Sequence, residues 1–248
     1  MNMSKAEQRT AKAAALRAEQ QKREARRRML TITAVIGVMV LIIGSAVGYS
    51  IWRNNQDKAD LEAAAGSAGA SAHGVAIGPD DAPHTIVIYE DFLCPFCGEL
   101  EKQTHEDLAR LAADGKVQVE YRPFNLLGRS SEDYSVRSLN AFAAVLDAAG
   151  PKAAKKMHDL LYANQPSESG PFPSNDDLLD LAVEAGASGS DVKDDIENAG
   201  QLDWVTAATD AAQKAGVRST PTVLLDGKVY TDFSSIDDLA SGLLKAVE

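Results

Sequence analysis

Two cysteines that stand two residues apart constrain this chain more than any other feature of its sequence. The motif Cys94-Pro95-Phe96-Cys97 holds the only two cysteines among 248 residues. An apolar, β-rich run at residues 85–89 precedes the motif, and residues 98–113 after it predict a helix. A thiolate at a helix N-terminus faces free backbone N–H groups and the positive end of the helix dipole, so its pKa falls. The pair therefore indicates thiol–disulfide exchange, with the second cysteine placed to attack the mixed disulfide that the first one forms.

Two other roles are open to a C-x-x-C pair. It has the spacing of half a zinc site, but such a site needs two more ligands. The four histidines supply no H-x3–5-H pair, since they are His73, His84, His105 and His158. A purely structural disulfide is the other alternative, although a bridge across so short a loop stabilises a fold little. We therefore expect no metal and no cofactor, and we expect the cysteines to be kept for chemistry.

The charge of the chain is divided sharply between its N-terminal segment and the rest. Residues 1–29 hold nine Lys or Arg and three Glu, a net charge of +6, whereas the remaining residues carry −17. The basic segment ends in Arg26-Arg27-Arg28, which is typical either of nucleic-acid binding or of the cytoplasmic flank of a membrane helix. The uncharged stretch that follows favours the flank, so we expect no nucleic-acid partner.

Residues 30–52 contain no charged side chain. Their number fits a membrane-spanning helix of about 20 residues, with Trp52 at the far interface. A cleaved signal peptide is the alternative, but its apolar region is only about 7–15 residues long and its cleavage site follows closely. Here the first Ala-x-Ala patterns that follow, at residues 63–65 and 68–70, lie well beyond the apolar run. We expect a retained single-pass anchor in the cell membrane, with residues 1–29 in the cytoplasm and the acidic bulk outside.

Residues 53–73 predict a flexible linker, because residues 63–72 contain only Ala, Gly and Ser and offer no large side chain to bury. The domain beyond it, residues 74–248, would meet an oxidising compartment. A secreted protein that uses disulfides for stability usually carries several pairs of cysteines. A single C-x-x-C pair therefore again favours a chemical role for the cysteines over a structural disulfide.

The pattern beyond the linker predicts an α/β domain. The predicted strands lie at residues 75–78, 85–90, 116–121, 219–225 and 228–230, and the hairpin signal Asp226-Gly227 joins the last two. Between the third and fourth strands, about residues 131–215 show helical periodicity without strand signals. The predicted helices there span residues 132–148, 151–162, 175–185, 190–198 and 202–215, and a final amphipathic helix spans residues 236–247.

Three motifs on this framework resemble those of the thioredoxin fold in its DsbA-like branch, which carries a helical insertion. They are Gly78-Pro79-Asp80-Asp81-Ala82-Pro83, Glu90-Asp91-Phe92-Leu93-Cys94-Pro95-Phe96-Cys97 and Gly216-Val217-Arg218-Ser219-Thr220-Pro221-Thr222. The resemblance covers roughly residues 74–248. It implies an α/β, thioredoxin-like fold with an inserted all-helical block, preceded in this chain by the single transmembrane helix.

The resemblance also implies a role for residues of these motifs. Cys94 would be the exposed nucleophile and Cys97 the resolving thiol. Thr220 and Pro221 match the family's cis-proline loop, which lies beside the cysteines and exposes backbone groups that pair with a substrate strand. Together with the two residues between the cysteines, this loop is the expected substrate-binding surface: Thr220, Pro221, Pro95 and Phe96.

Two positions depart from the family's pattern. Strongly oxidising relatives often place Pro-His between the cysteines, and Phe96 offers neither the charge nor the hydrogen-bond donor of that histidine. Six residues before the first cysteine, where related proteins often place a buried acid that moves protons, the chain has Ile88. Glu90 and Asp91 are nearby candidates for proton transfer, and exposed, solubilising carboxylates are the alternative for both.

The expected function is a membrane-anchored, extracytoplasmic protein disulfide oxidoreductase. It would introduce disulfides into exported, unfolded or partly folded proteins that contain cysteines. By the resemblance, a membrane quinone-linked reoxidase, DsbB-like or VKOR-like, would recharge it. Two alternatives remain open: a reductase or disulfide isomerase of the same fold, and a non-catalytic peptide-binding or chaperone module that uses the cis-proline groove.

Overall fold

The computed structural model describes residues 29, 43–53, 55–56, 58–59, 61–63, 72–130 and 132–248. The chain divides into two compact units, Met1–Asn55 and Gln56–Glu248. In the first unit, residues 43–53 are helical, whereas the predicted basic segment and residues 30–42 of the predicted membrane segment lie outside the described residues. Within the described ranges, no helix combines the length and the apolar character that crossing a membrane requires.

Five strands form one mixed sheet in the described part of the second unit. They are β1 (Val75–Ile77), β2 (His84–Glu90), β3 (Val117–Pro123), β4 (Thr222–Leu225) and β5 (Lys228–Val229). The sheet order is β1-β3-β2-β4-β5, with β2 and β3 parallel and the other neighbours antiparallel. β2 is therefore the central strand. Asp226 and Gly227 have φ angles of 50° and 75°, as a two-residue hairpin turn requires, which confirms the predicted turn between β4 and β5.

Helices cover the sheet and form the insertion between β3 and β4. Beyond residue 72 the helices are α1 (Pro95–Ala113), α2 (Tyr134–Ala163), α3 (Asn175–Ala185), α4 (Gly189–Glu197), α5 (Leu202–Lys214) and α6 (Ile236–Val247). The two helices that the sequence predicts at residues 132–148 and 151–162 are the two halves of α2. They are separated at Gly150, which leaves the helical region at φ 80°, and at Pro151, which lacks an N–H donor. The remaining predicted elements agree with the observed ones to within a few residues.

The two faces of the sheet bury different side chains, because successive residues of a strand point to opposite faces. Ile86 and Ile88 of β2 belong to the larger apolar cluster, which includes side chains from α1, α2 and α6. Val87 and Tyr89 belong to a second cluster, with Val217 and residues at the end of α5. The central strand is therefore buried on both faces, and its C-terminal end is fixed in place for the motif that follows.

Leu61 adds a contact that the composition of the predicted linker did not indicate. Residues 61–63 are helical, and Leu61 is 5% exposed within the second apolar cluster, which also holds Leu224 of β4. The small residues of the predicted linker at positions 64–71 lie outside the described residues. A side chain inside the predicted linker is thus docked on the domain.

Candidate active site

The cysteine motif lies where the central strand leads into α1. Cys94 is the N-cap residue of α1, and Pro95 occupies the first turn, where a missing N–H costs nothing. The backbone carbonyl of Cys94 accepts the first helical hydrogen bonds, from the N–H groups of Cys97 (3.1 Å) and Gly98 (3.1 Å). The predicted placement of the cysteine pair at a helix N-terminus is confirmed.

The loop before β4 covers the sulfur of Cys94. The Thr220–Pro221 peptide bond is cis, as predicted, and the Cys94 thiol donates a hydrogen bond to the carbonyl oxygen of Thr220 at 3.4 Å. Cys94 is consequently only 5% exposed, so the expectation of an exposed thiol is wrong, although Cys97 is buried further at 1%. The two thiols are free in this structure.

The surroundings of the Cys94 sulfur favour its thiolate. The hydrogen bond from the Cys97 side chain is the largest effect on the pKa of Cys94. Burial opposes it, whereas the side chain of Thr220 and the backbone N–H groups of Cys97 and Phe96 add to it, and together they lower the pKa of Cys94 to about 6. The ordinary pKa of the thiol is 9.0, so the lowered value leaves Cys94 mostly ionised at neutral pH.

The second thiol of the motif behaves in the opposite way. Burial raises the pKa of Cys97 well above its ordinary value, and the hydrogen bond to Cys94 and the negative charges of Cys94 and Glu90 raise it further. The pair therefore consists of one acidic thiol near the surface and one thiol that holds its proton in the interior. Proteins that exchange disulfides separate attacking and resolving thiols in this way.

Apolar side chains are accessible at the motif and beside the cis-proline loop. Phe96 points into solvent and is 61% exposed. Beside the cis-proline loop, a groove of 210 Å³ is lined by side chains that include Pro221, Tyr230 and Phe233. The predicted substrate-binding residues Thr220, Pro221, Pro95 and Phe96 thus lie around one sulfur atom.

Glu90 and Asp91 are both buried, at 1% and 0% exposure, so the alternative of exposed solubilising carboxylates is wrong. Asp91 accepts hydrogen bonds from the N–H groups of Leu93, Leu126 and Leu127 and from the Ser135 hydroxyl. These bonds tie the loop before Cys94 to the chain after β3. Ile88, at the position where relatives place an acid, is an apolar core residue, as expected.

Comparison with known proteins identifies the family. Residues 70–245 match the sequence profile described as thioredoxin. The chain belongs to the thioredoxin family. It is 27% identical over 221 residues to a probable disulfide bond formation protein D of Bacillus cereus, covering 84% of this chain and 94% of that one.

Two solved structures of Mycobacterium tuberculosis place this thioredoxin-family protein more closely. The reduced disulfide bond oxidoreductase DsbG shares 29% identity and a TM-score of 0.61, over 74% of this chain and 91% of the other. Reduced DsbA shares 28% identity and a TM-score of 0.58, over 71% and 92%. The chain is therefore a DsbA/DsbG-like thiol–disulfide oxidoreductase with a helical insertion in its thioredoxin fold.

Gln165, which the sequence analysis did not single out, supports the motif of this oxidoreductase. Its side-chain amide donates to the carbonyl oxygens of Phe92 at 3.0 Å and Cys94 at 2.9 Å. A Cβ atom at Gly98 would lie 2.1 Å from Gln165 Oε1, so the glycine makes room for this contact. A glycine in the first turns of a predicted helix is the signal that could have indicated a close approach.

A buried polar cluster, the Glu90–Glu101–His158 cluster, connects the end of β2 with α1 and α2. His158 Nε2 lies 2.5 Å from Glu90 Oε1, and His158 Nδ1 lies 3.0 Å from Asp159 Oδ1. Burial raises the pKa of Glu101 although His158 opposes the rise. Burial would lower the pKa of His158, but the charges of Glu90 and Glu101 outweigh it and raise that pKa.

Glu101 and His158 are not among the site residues proposed from the sequence. The helical periodicity around each of them nevertheless indicates that its side chain is buried. His158 shares the buried face of α2 with Ala154, Met157 and Leu161, and Glu101 follows Leu100 on the buried face of α1. Two carboxylates and an imidazole form a donor set that could hold a metal ion, and it involves neither of the cysteines considered for zinc.

Proposed function

We propose that this protein is a membrane-anchored oxidase that introduces disulfides into exported polypeptides. The observation that carries the proposal is the Cys94 sulfur at the N-terminus of α1, which has a pKa of about 6 and contacts the Thr220 carbonyl. An oxidant of this kind is strong when its reduced form is stabilised, and a stabilised thiolate does that. A reductase or isomerase of the same fold is the alternative, and it requires a Cys94 thiolate that is less stabilised in the reduced protein.

Each cysteine of the motif has a proposed role in the transfer of the disulfide. A substrate thiolate attacks Cys94 Sγ of the Cys94–Cys97 disulfide, and the bonding pair leaves on Cys97, which takes up a proton because its buried site disfavours the charge. A second substrate thiolate then attacks the substrate sulfur of the mixed disulfide. Cys94 leaves as a thiolate, the substrate is oxidised and the protein is reduced, so two electrons pass to the cysteine pair.

Glu90 is the proposed proton-transfer residue, because its carboxylate can accept the proton of the Cys97 thiol when the cysteine pair is reoxidised. It is buried, and its charge acts on the Cys97 thiol. Asp91 was the other candidate, but four hydrogen bonds already engage its two oxygens, which favours a structural role. We therefore keep Glu90 as the proton-transfer residue.

The substrate is proposed to bind as an extended chain across the cis-proline loop. Backbone groups of Thr220 would pair with the substrate strand, and Phe96 and the groove beside Pro221 would contact its apolar side chains. Recognition of backbone and apolar surface suits unfolded or partly folded polypeptides that still have free cysteines. A DsbB-like or VKOR-like quinone-linked membrane protein is the proposed reoxidase.

The proposed anchor is the uncharged segment at residues 30–52, with the catalytic domain outside the cell membrane. Large apolar side chains on the helical residues 43–53 support it, because they are 52–60% exposed: Ile43, Val47, Tyr49, Ile51 and Trp52. A lipid environment would cover these side chains.

Trapping the mixed disulfide tests the proposal. The oxidised protein is mixed with a reduced, unfolded polypeptide that contains two cysteines, and substrate disulfides are counted against protein thiols. We expect one substrate disulfide for each Cys94–Cys97 pair that is reduced. Cys97→Ser, treated with a reagent that activates Cys94, should accumulate a mixed disulfide, and Cys94→Ser is the matched control that should not. Equal binding with no transfer of electrons would favour the chaperone alternative.

A further inference from the structure

The Glu90–Glu101–His158 cluster brings three metal-binding side chains together in the interior, away from the groove beside Pro221. Their exposures are 1%, 3% and 0%, and one donor atom from each lies within 4.8 Å of the others. Because the three residues come from β2, α1 and α2, the tertiary fold rather than one local motif assembles the cluster.

The hydrogen bonds within the cluster leave one buried carboxylate oxygen without a partner among the described residues. When His158 Nδ1 donates to Asp159 Oδ1, its Nε2 carries a lone pair that faces Glu90 Oε1 at 2.5 Å. Two acceptors at this separation need a positive particle between them. A proton on Nε2 supplies one, but it leaves Glu101 Oε1 buried without a hydrogen-bond partner among the described residues. An unpaired buried carboxylate oxygen is costly, and a cation can serve all three donor atoms at once.

We propose that the Glu90–Glu101–His158 cluster is a binding site for a divalent transition-metal ion, with Zn²⁺ as the best fit. Zn²⁺ accepts His nitrogen and Glu oxygen at about 2.0–2.2 Å, and it commonly takes three protein ligands and a water. Tetrahedral ligands at that distance lie about 3.4 Å apart, so the pair formed by Glu90 and His158 has to open by about 0.9 Å. Asp159 supplies the carboxylate that typically orients a metal-binding histidine through its other nitrogen.

The charges around the cluster favour a dication. The groups that face Glu101 are His158, Glu90, Lys155 and Asp159. Lys155 pairs with Asp159 and lies over the Tyr121 ring, 4.5 Å from its centroid. An ion that binds His158 Nε2 displaces the proton from it, and three carboxylates and one ammonium then leave a net charge of −2, which a divalent ion would cancel.

A cleft provides a route to the cluster. It has a volume of 520 Å³ between α1 and the second half of α2, and Glu101 and Asp159 lie among its lining residues. It also has room for the water that would complete a tetrahedral site. The inference does not depend on the direction of thiol exchange, since none of the proposed ligands is a cysteine, but it competes with the proton-transfer role proposed for Glu90, because a carboxylate that holds the ion is not free to accept the Cys97 proton.

Metal titration of the oxidised full chain tests the site, because the Cys94–Cys97 disulfide prevents the thiols from binding metal. We expect Zn²⁺ to bind with a stoichiometry of one by calorimetry, and Co²⁺ to show the intense visible absorption of a tetrahedral site. Glu101→Gln should weaken Zn²⁺ binding by at least about tenfold, since partners of metal sites typically contribute 10–100-fold. The matched control is Glu99→Gln, an exposed carboxylate on the same helix and cleft, which should bind as the original protein does.

Three results would overturn the proposal. They are no Zn²⁺ binding by the oxidised protein, a Co²⁺ spectrum of the octahedral aqua ion, or equal Zn²⁺ affinities for Glu101→Gln and the original chain. Circular dichroism checks that Glu101→Gln is folded. If it is not, the Co²⁺ spectrum of the original chain and its comparison with Glu99→Gln still decide the question.

Discussion

The acidity of Cys94 predicts that the stability gap between the reduced and oxidised protein depends on pH. The Cys94 pKa is about 6 in the folded dithiol, against an ordinary value of 9.0. Because the folded-state value is the lower one, the stabilisation is fully present above about pH 9 and is lost as the pH falls through 6. It amounts to about 2.7 kcal/mol at pH 8 and less than about 0.1 kcal/mol at pH 5. Solvent screening reduces the difference to about 2 kcal/mol.

The measurement is the melting temperature of residues 56–248, reduced and oxidised, at pH 5 and pH 8. A disulfide adds a contribution that does not change with pH, so the informative quantity is the change in the gap. From pH 5 to pH 8, we expect the melting temperature of the reduced form to rise by about 4–8 °C relative to that of the oxidised form. This range follows from about 2 kcal/mol at about 2–4 °C for each kcal/mol. Cys94→Ala is the control: it cannot form the disulfide and lacks the acidic thiol, so its melting temperature should change between pH 5 and pH 8 as that of the oxidised form does. A gap that stays constant from pH 5 to pH 8 refutes the reasoning and favours the reductase alternative.

Four further outcomes are expected. A reporter active only in the cytoplasm, fused after Glu248, should give no signal, and a strong signal would reverse the proposed orientation. Alkylation of the reduced protein should label Cys94 with a midpoint near pH 6 and Cys97 far more slowly; faster labelling of Cys97 would exchange their roles. Gln165→Ala should lower the free energy of unfolding by about 2 kcal/mol, since two hydrogen bonds to backbone carbonyls are lost, and an unchanged urea midpoint would contradict that contact. Leu61→Ala should lower the free energy of unfolding by about 2 kcal/mol in the same assay, whereas Glu62→Ala, at the exposed neighbouring residue, should change it little.

Local patterns were sufficient to predict much of the fold and part of the candidate site. The cysteine pair sits between a strand and a helix, and the turn at Asp226 and Gly227 needs positive φ angles that these residues adopt readily. These two features depend on residues that are close in the chain, so short-range physics determines them. The cis-proline loop at Thr220 and Pro221 was predicted from the resemblance to the DsbA-like family instead.

The features that the sequence did not reveal depend on distant partners. A glutamate at the end of a strand has the same local signature whether it is buried or exposed, and the partner of Glu90 is His158, 68 residues away. Gln165 reaches Cys94 across 71 residues, and nothing in its own neighbourhood indicates that contact. The burial of Cys94 has the same origin, because the loop that covers it is 126 residues away.

The loop that covers the Cys94 sulfur has a consequence for how a substrate would reach it. The Thr220 carbonyl holds a sulfur that is only 5% exposed, and in the proposed role the backbone of the same loop pairs with the substrate chain. A polypeptide that pairs with Thr220 therefore brings its cysteine to the reacting atom by the same contact, so that binding and reaction take place at one position.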